Sequence, residues 1–502
     1  MRLNILIGGQ AGQGINKVSE VVANVLAKEG YFVFNYRDYP SLIRGGHNFN
    51  ILSISDKRVG SIESKLDGII ALDENTGAKH KKELGKEGFV VKFSDFKDLG
   101  RNLNIAMAGA LIKILGFDEK VLLDEVGEEL GKDAVEAAKL GYSEQEKKFD
   151  LKKLKNKVGI ISGTEAVAKG FENSGGDFYF AYPMTPATGV LHVLGSSQNG
   201  HEVFQPENEI AVVNMALGCS FAGKKIMVGT SGGGFDLMTE ALSMQGQTEI
   251  PLVMYLASRP GPGTGVPTYS MQCDLNVALK SGHGEFPRVV IAPGDPIECE
   301  EKTNEAMYLS EKFGCASIVL SDKHLAESQF SSDRKPNKVL KVDVKRKVPG
   351  KDVVRANSYE HDENGHTSEE PEVALKGAER RLKRYEDIKK EVKKFEMIKI
   401  FGNKSSKKVV VGWGSTKTAI LDAIDGSDWK FLQVLYLKPM SDEIKKILEQ
   451  AEKIVLVENN VTGQLGRLIR EKTGIKIENR ILKYDSRPFC SDELKKEIGR
   501  FE

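Results

Sequence analysis

Short apolar runs alternate along this chain with longer stretches whose apolar positions recur at helical spacing, and that alternation predicts an α/β protein. Between Leu3 and about Leu140 it predicts strands at Leu3–Gly8, Phe32–Phe34 and Gly68–Leu72, and helices at Ile15–Lys28 and Ile105–Leu115. The lysine-rich stretch Leu151–Lys157 has little to bury and reads as a linker. A second stretch predicts strands at Phe178–Ala181, Lys225–Thr230, Pro251–Ala257, Arg288–Ala292 and Ala316–Leu320, with helices at Glu209–Ala222 and Pro296–Lys312 between them. After Ser328 the chain is polar, and Val373–Met397 then reads as one long helix, with Leu375, Leu382, Tyr385, Ile388 and Val392 at helical spacing. The strands Val409–Val411, Phe431–Leu435 and Ile454–Glu458, with a helix from Thr416, form a third unit. The expected architecture is three α/β domains built on doubly wound, mostly parallel sheets. Their expected bounds are 1–150, 158–328 and 401–502, with 329–400 a polar linker and connecting helix.

Composition changes this picture little. A chain of 502 residues exceeds what one core usually serves, in keeping with three domains. The 51 glycines suit many tight strand-to-helix turns. A net charge of +1 gives no basic field for nucleic acid or a membrane surface, so neither is an expected partner. No apolar run approaches the ~20 residues of a membrane span, and Met1–Gly8 is interrupted too soon for a signal peptide, so a cytoplasmic location is expected. The five cysteines, Cys219, Cys273, Cys299, Cys315 and Cys490, form no Cys-x-x-Cys pair, which argues against a cluster or metal site held by this chain alone.

Several motifs carry chemistry. Gly8-Gly9-Gln10-Ala11-Gly12-Gln13-Gly14 joins a strand to a helix and could offer backbone N–H groups to an anion, but Lys17 breaks the dinucleotide fingerprint. A purely structural turn explains it equally well. Arg44 in Arg44-Gly45-Gly46-His47 is either an anion ligand or part of a solvated loop. Tyr182-Pro183-Met184-Thr185-Pro186 ends a strand and sets the Thr185 hydroxyl at the carboxyl edge of a sheet, where open α/β sheets bind ligands. Glu207-Asn208-Glu209 opens an apolar helix. Residues two apart on a helix face about 200° apart, and Val212, Val213, Ala216 and Leu217 lie on the side of Glu209. Glu209 is therefore the inner carboxylate, a candidate for proton chemistry, and Glu207 the outer one. Thr230-Ser231-Gly232-Gly233-Gly234 and the loop from Ser258 to Thr268 end two further strands, the second bringing Arg259 to the same edge, suited to bidentate capture of a carboxylate.

Taken in order, these motifs resemble the alpha subunit of the 2-oxoacid:ferredoxin oxidoreductases, with a gamma-like domain fused in front over Met1 to about Leu140. Met184, Gly233 and Gly263 depart from the residues usual there. Gln272-x-Asp274-Leu275, Gly282-His283-Gly284, Glu360-His361-Asp362-Glu363 and Glu458-Asn459-Asn460 with Gly463-Gln464-Leu465 extend the resemblance over nearly the whole chain. The resemblance implies a transketolase-type pyrimidine domain and C-terminal domain, and oxidative decarboxylation of a 2-oxoacid to acyl-CoA and CO2 with electrons passed to ferredoxin. It implies that Glu209 hydrogen-bonds the aminopyrimidine of thiamine diphosphate, that Tyr182, Pro183, Ser231 and Gly232 line the cofactor, and that Thr185, Arg259 and Thr268 hold the oxoacid. Asn459-Asn460 has no Gly-Asp-Gly upstream, so the resemblance places the diphosphate site, its Mg2+ and the [4Fe-4S] cluster on a beta subunit, with coenzyme A as co-substrate and an (alpha-beta)2 assembly. Two other readings remain at this level: a thiamine-diphosphate decarboxylase subunit without ferredoxin, and a non-catalytic nucleotide-binding scaffold built on Gly8 to Gly14.

Overall fold

Val18, Val21, Val22, Val25 and Leu26 recur at helical spacing and form the buried face of α1 (Ile15–Lys28), which follows the buried strand β1 (Arg2–Gln10). The glycine turn between them holds Gly12 and Gly14 in the left-handed conformation that favours glycine. The computed structural model describes residues 1–40, 46–342, 346–355 and 357–502; Arg44 lies outside them. The chain divides into two compact units.

The first unit comprises Met1–Ser162, Glu327–Arg334 and Phe489–Lys496. Its sheet contains β1, β2 (Phe32–Asp38), β3 (His47–Ser55), β4 (Leu66–Ala71), β5 (Leu84–Lys92) and β6 (Gly159–Ser162), in the order β5-β4-β1-β3-β2, then the strand Gln329–Ser332, then β6. Only β1–β4 and β4–β5 pair in parallel. The expectation of a mostly parallel sheet is corrected here. Residues 39–46 between β2 and β3 are too few for a parallel crossover, so β3 runs antiparallel between β1 and β2. Gly159–Ser162 was expected to open the second domain, but its partner is Gln329–Ser332, which in turn pairs with β2. Helix α2 (Leu103–Leu115) is buried almost throughout and packs into the same core as α1.

The second unit comprises Gly163–Ala326, Lys335–Pro488 and Glu497–Glu502 and holds two sheets. One contains β7 (Phe178–Ala181), β8 (Glu202–Phe204), β9 (Ile226–Thr230), β10 (Leu252–Ser258), β11 (Arg288–Ile291) and β12 (Ala316–Asp322), in the order β11-β12-β10-β9-β7-β8. These pair in parallel, as the continuously apolar central strands predict. The short strand Tyr436–Lys438 closes the β11 edge antiparallel. Helices α3 (Glu209–Phe221) and α4 (Pro296–Phe313) are among the connections. The other sheet contains β13 (Ile398–Gly402), β14 (Lys408–Gly412), β15 (Lys430–Val434), β16 (Lys453–Glu458) and β17 (Asn479–Leu482), in the order β13-β15-β14-β16-β17. One hydrophobic core runs through both sheets of this unit.

The long helix, α5, spans Pro371–Val392 and ends a turn earlier than its pattern suggested. Ile388 and Val392 are buried, whereas Leu375 and Leu382 are 59% and 63% exposed. Polar contacts hold its middle instead: Arg380, Arg381 and Arg384 reach Glu249 and Glu360. Among the described residues no helix is long and apolar enough to cross a membrane, and no group of three His, Cys, Asp or Glu could hold a metal ion.

Candidate active site

Strands β7, β9 and β10 lie side by side in parallel, so the turns that follow them open on one edge of the sheet. The turn after β7 carries Tyr182 to Pro186, that after β9 Thr230 to Gly234, and that after β10 Arg259 to Thr268. The Arg259 guanidinium reaches across and donates from Nη1 to the Thr185 carbonyl oxygen at 3.0 Å, tying the first turn to the third.

Glu209 opens α3 and is 4% exposed, with Val212, Val213, Ala216 and Leu217 buried on its side of the helix; Glu207 is exposed. The helix is capped by Asn208, whose Oδ1 accepts from Ala211 N at 2.9 Å, so the cap does not engage the Glu209 carboxylate. Among the described residues no hydrogen bond holds that carboxylate. A Cβ on Gly234 would lie 2.8 Å from Glu209 Oε1 and 2.3 Å from Thr230 Oγ1. The turn after β9 therefore needs glycine for close approach.

Gly232 plays the same part toward a second carboxylate: its Cβ would lie 2.7 Å from Asp274 Oδ2. The Ser258 hydroxyl donates to that same oxygen at 2.6 Å, and the Cys273 thiol donates to the Arg259 carbonyl oxygen at 3.0 Å. Burial raises the Asp274 carboxyl above its usual range, with the Ser258 hydrogen bond drawing it back, and raises the Cys273 thiol to about 12. Burial lowers the Arg259 guanidinium from its ordinary value, while Asp274 and Glu209 act the other way. One cation thus faces two carboxylates at the sheet edge. Ser231 Oγ and Thr268 Oγ1 are buried without a hydrogen-bond partner.

The contacts that gather Thr185, Glu209, Arg259 and Asp274 do not extend to Thr268, at the far end of its loop. Beyond it the chain turns onto the third sheet. Gln272 N donates to Asn459 O at 2.7 Å, Gln272 Oε1 accepts from Asn459 N at 2.9 Å, and Gln272 Nε2 donates to Trp413 O at 2.7 Å. Asn460 Nδ2 donates to Gln272 O and to Glu458 Oε2, while Asn459 Nδ2 donates to the carbonyls of Lys483 and Arg487. The Asn460 amide thus holds this loop, and the Asn459 amide holds the segment Lys483–Arg487. Tyr182 and Pro183 are exposed, Ser231 is fully buried and Gly232 is half-buried.

Sequence reasoning gave no role to Thr230, Gly234, Ser258 or Asp274. Asp274 stood within a quoted motif, but an aspartate opening a short helix reads as a cap; only the approach of Ser258 and Gly232 distinguishes it.

Residues 170–397 match the family described as pyruvate flavodoxin/ferredoxin oxidoreductase, thiamine diP-bdg, and residues 4–100 match pyruvate ferredoxin/flavodoxin oxidoreductase. The chain is 29% identical to the 2-oxoacid:ferredoxin oxidoreductase subunit alpha of a Sulfolobus species, with 99% of this chain and 96% of that protein covered. It is also 29% identical to subunit alpha of 2-oxoacid:ferredoxin oxidoreductase 1 from Sulfurisphaera tokodaii, with 99% and 97% covered. The chain thus resembles the 2-oxoacid:ferredoxin oxidoreductase alpha subunits over nearly its whole length. The alignment with the Sulfolobus relative runs to 613 positions, more than the 502 residues here, so that family member carries insertions this chain lacks. The fold is shared with the 2-oxoglutarate:ferredoxin oxidoreductase of Magnetococcus marinus, solved with 2-oxoglutarate, coenzyme A and succinyl-CoA bound, at a TM-score of 0.89 and 24% identity over 99% of each chain. Thr185, Glu209, Arg259 and Asp274 all fall within the segment matched to the thiamine-diphosphate-binding family.

Proposed function

We propose that this chain supplies the aminopyrimidine-side half of the thiamine-diphosphate site of a 2-oxoacid:ferredoxin oxidoreductase. A beta subunit completes it and carries the diphosphate site, the Mg2+ and the [4Fe-4S] cluster. The observation that carries this reading is Glu209, 4% exposed at the carboxyl edge of a parallel sheet beside Arg259, its carboxylate held by no hydrogen bond among the described residues. A buried acceptor of this kind fits a cofactor ring nitrogen that presents a proton, and the unpartnered Ser231 hydroxyl fits a polar ligand at the same edge.

When bound, the cofactor supplies the nucleophilic carbon that adds to the keto group and holds the electron pair left by CO2. In the net reaction the bond to the carboxylate breaks, two one-electron ferredoxins take that pair, the coenzyme A sulfur bonds to the acyl carbon, and one proton is released. Glu209 holds and moves the proton at the aminopyrimidine nitrogen. Arg259 offers its planar fork to the oxoacid carboxylate, with Thr185 and Thr268 as further polar contacts. Tyr182, Pro183, Ser231 and Gly232 line the cofactor. The elements that carry these residues also expose Tyr182, Ile210, Leu237 and Val266, each between 39% and 52%, an apolar rim suited to a covering subunit.

The test is to assay the chain alone and with its beta subunit for oxoacid- and coenzyme A-dependent viologen reduction. The expected result is no activity and no visible iron–sulfur absorbance from the chain alone, and both with the complex. A brown, active preparation of this polypeptide by itself contradicts the half-site, and release of free aldehyde without viologen reduction would point to the decarboxylase alternative.

A further inference from the structure

The opposite, amino edge of the same sheet carries a cavity of about 950 Å3. Its floor is apolar: Phe221 at the end of α3, Ile250 and Pro251 just before β10, and Phe313 just before β12. Its walls are charged, with eight Lys or Arg side chains against five Asp or Glu. Several of these cations are already engaged. Arg355, Arg380 and Arg384 converge on Glu249 at 2.5, 2.9 and 2.6 Å, Arg346 takes Glu311 at 2.5 Å, and Lys312 takes Glu391 at 2.9 Å. Lys347, Lys376 and Lys383 line the same walls, and among the described residues their side chains make no hydrogen bond or ion pair.

A second observation is independent of charge. His361, from the Glu360-His361-Asp362-Glu363 motif that the proposed reaction does not use, also lines the cavity. It is 5% exposed, and its Nδ1 is buried without a hydrogen-bond partner. A buried polar atom is normally paired, so the wall carries polar capacity that the chain does not satisfy. Burial, with Arg355 beside it, holds this imidazole below its ordinary value.

We propose that this cavity binds a nucleotide-type anion, its phosphates held by Lys347, Lys376 and Lys383 and its ring on the apolar floor. The volume lies at the upper end of the roughly 300–1,000 Å3 usual for small-molecule sites, too large for a lone phosphate. Three uncommitted cations suit two or three phosphate groups, and the phenylalanines and proline suit a planar base. The site is distinct from that of Glu209 and Arg259. The seven residues of β10 separate Pro251 from Arg259, a span of about 20 Å, so one small ligand cannot occupy both edges.

Calorimetric titration of the full chain with ADP, inorganic tripolyphosphate and adenosine tests it, on wild type and on two variants. The double variant Lys347→Gln/Lys383→Gln removes two cations that support nothing else in the fold, and Arg259→Lys alters only the opposite edge. Expected are saturable ADP binding that weakens with salt, weaker tripolyphosphate binding, none for adenosine, about a tenfold loss in the double variant and unchanged affinity in Arg259→Lys. Failure of wild type to bind ADP overturns the proposal, as does an unaffected double variant. Tripolyphosphate binding as tight as ADP would remove the role of the apolar floor. A matching loss in Arg259→Lys would move the ligand to the other edge.

Discussion

Glu209 and Glu207 are two positions apart and chemically alike, yet the helix turns one in and the other out. Glu209→Gln keeps the shape and removes the proton acceptor, so oxoacid-dependent viologen reduction by the complex is expected to fall about a hundredfold to ten-thousandfold. Glu207→Gln should leave it near wild type, and a larger defect in Glu207→Gln would reverse the two roles. Gly234 supplies a steric test of the same carboxylate. Alanine there puts a methyl 2.8 Å from Glu209 Oε1 and 2.3 Å from Thr230 Oγ1, so both contacts must give way. The expected outcome is loss of activity with a native circular dichroism spectrum. Arg259→Lys keeps the charge but loses the fork that also holds the Thr185 carbonyl. Its expected signature is a large rise in KM for the oxoacid with thiamine diphosphate affinity little changed.

At the scale of elements, one carboxylate gathers most of the arginines that hold the middle of α5. Glu249 ends the helix Thr239–Thr248 with a φ of 59°, and it gathers Arg355, Arg380 and Arg384. Burial alone would raise this carboxyl; hydrogen bonds and charge from Arg384 and Arg380 outweigh burial and bring it down to about 2. A depressed carboxyl contributes stability that is present above its unfolded value near 4.5 and lost as pH falls toward 2. The linked stability is at most about 3 kcal/mol. Thermal melts between neutral pH and pH 3 should therefore show a steep acid limb in wild type. Glu249→Gln should melt lower at pH 7 and show a flatter acid limb. Equal slopes would mean that the arginines do not hold this group.

At the scale of the molecule, the two sheets of the second unit are joined by buried charge as well as by their shared core. Lys417, in α6 (Thr416–Ile424), is 2% exposed and places its Nζ 2.5 Å from both Asp295 Oδ2 and Glu298 Oε1 at the start of α4. Glu298 is fully buried and also takes Lys399 at 3.2 Å and Gln433 Nε2 at 2.7 Å. Replacing Lys417 by Met fills a similar volume but leaves two buried carboxylates without their main cation, a change that typically costs about 3–5 kcal/mol. Urea unfolding of Lys417→Met should show that loss as a lower midpoint. An unchanged midpoint would mean that Asp295 and Glu298 are satisfied without it.

The periodicity of the sequence determined the central strands of the second unit, because a parallel strand buried on both faces must be apolar without interruption, but not short edge strands such as Glu202–Phe204 and Asn479–Leu482. The same periodicity placed Glu209 on the inner side of its helix, since 3.6 residues per turn is a local property. It did not determine the first sheet's mixed directions, because short strands such as Gly159–Ser162 and Gln329–Ser332 lie 167 positions apart and pair only through the tertiary fold. Nor could it show that Leu375 and Leu382 are exposed: an apolar stripe is buried only where something packs on it, and here arginines hold the helix instead. Asp274 became legible only when Ser258 and Gly232, distant along the chain, were seen against its carboxylate. Local pattern fixes which way a side chain faces, whereas the approach of distant segments decides what it meets.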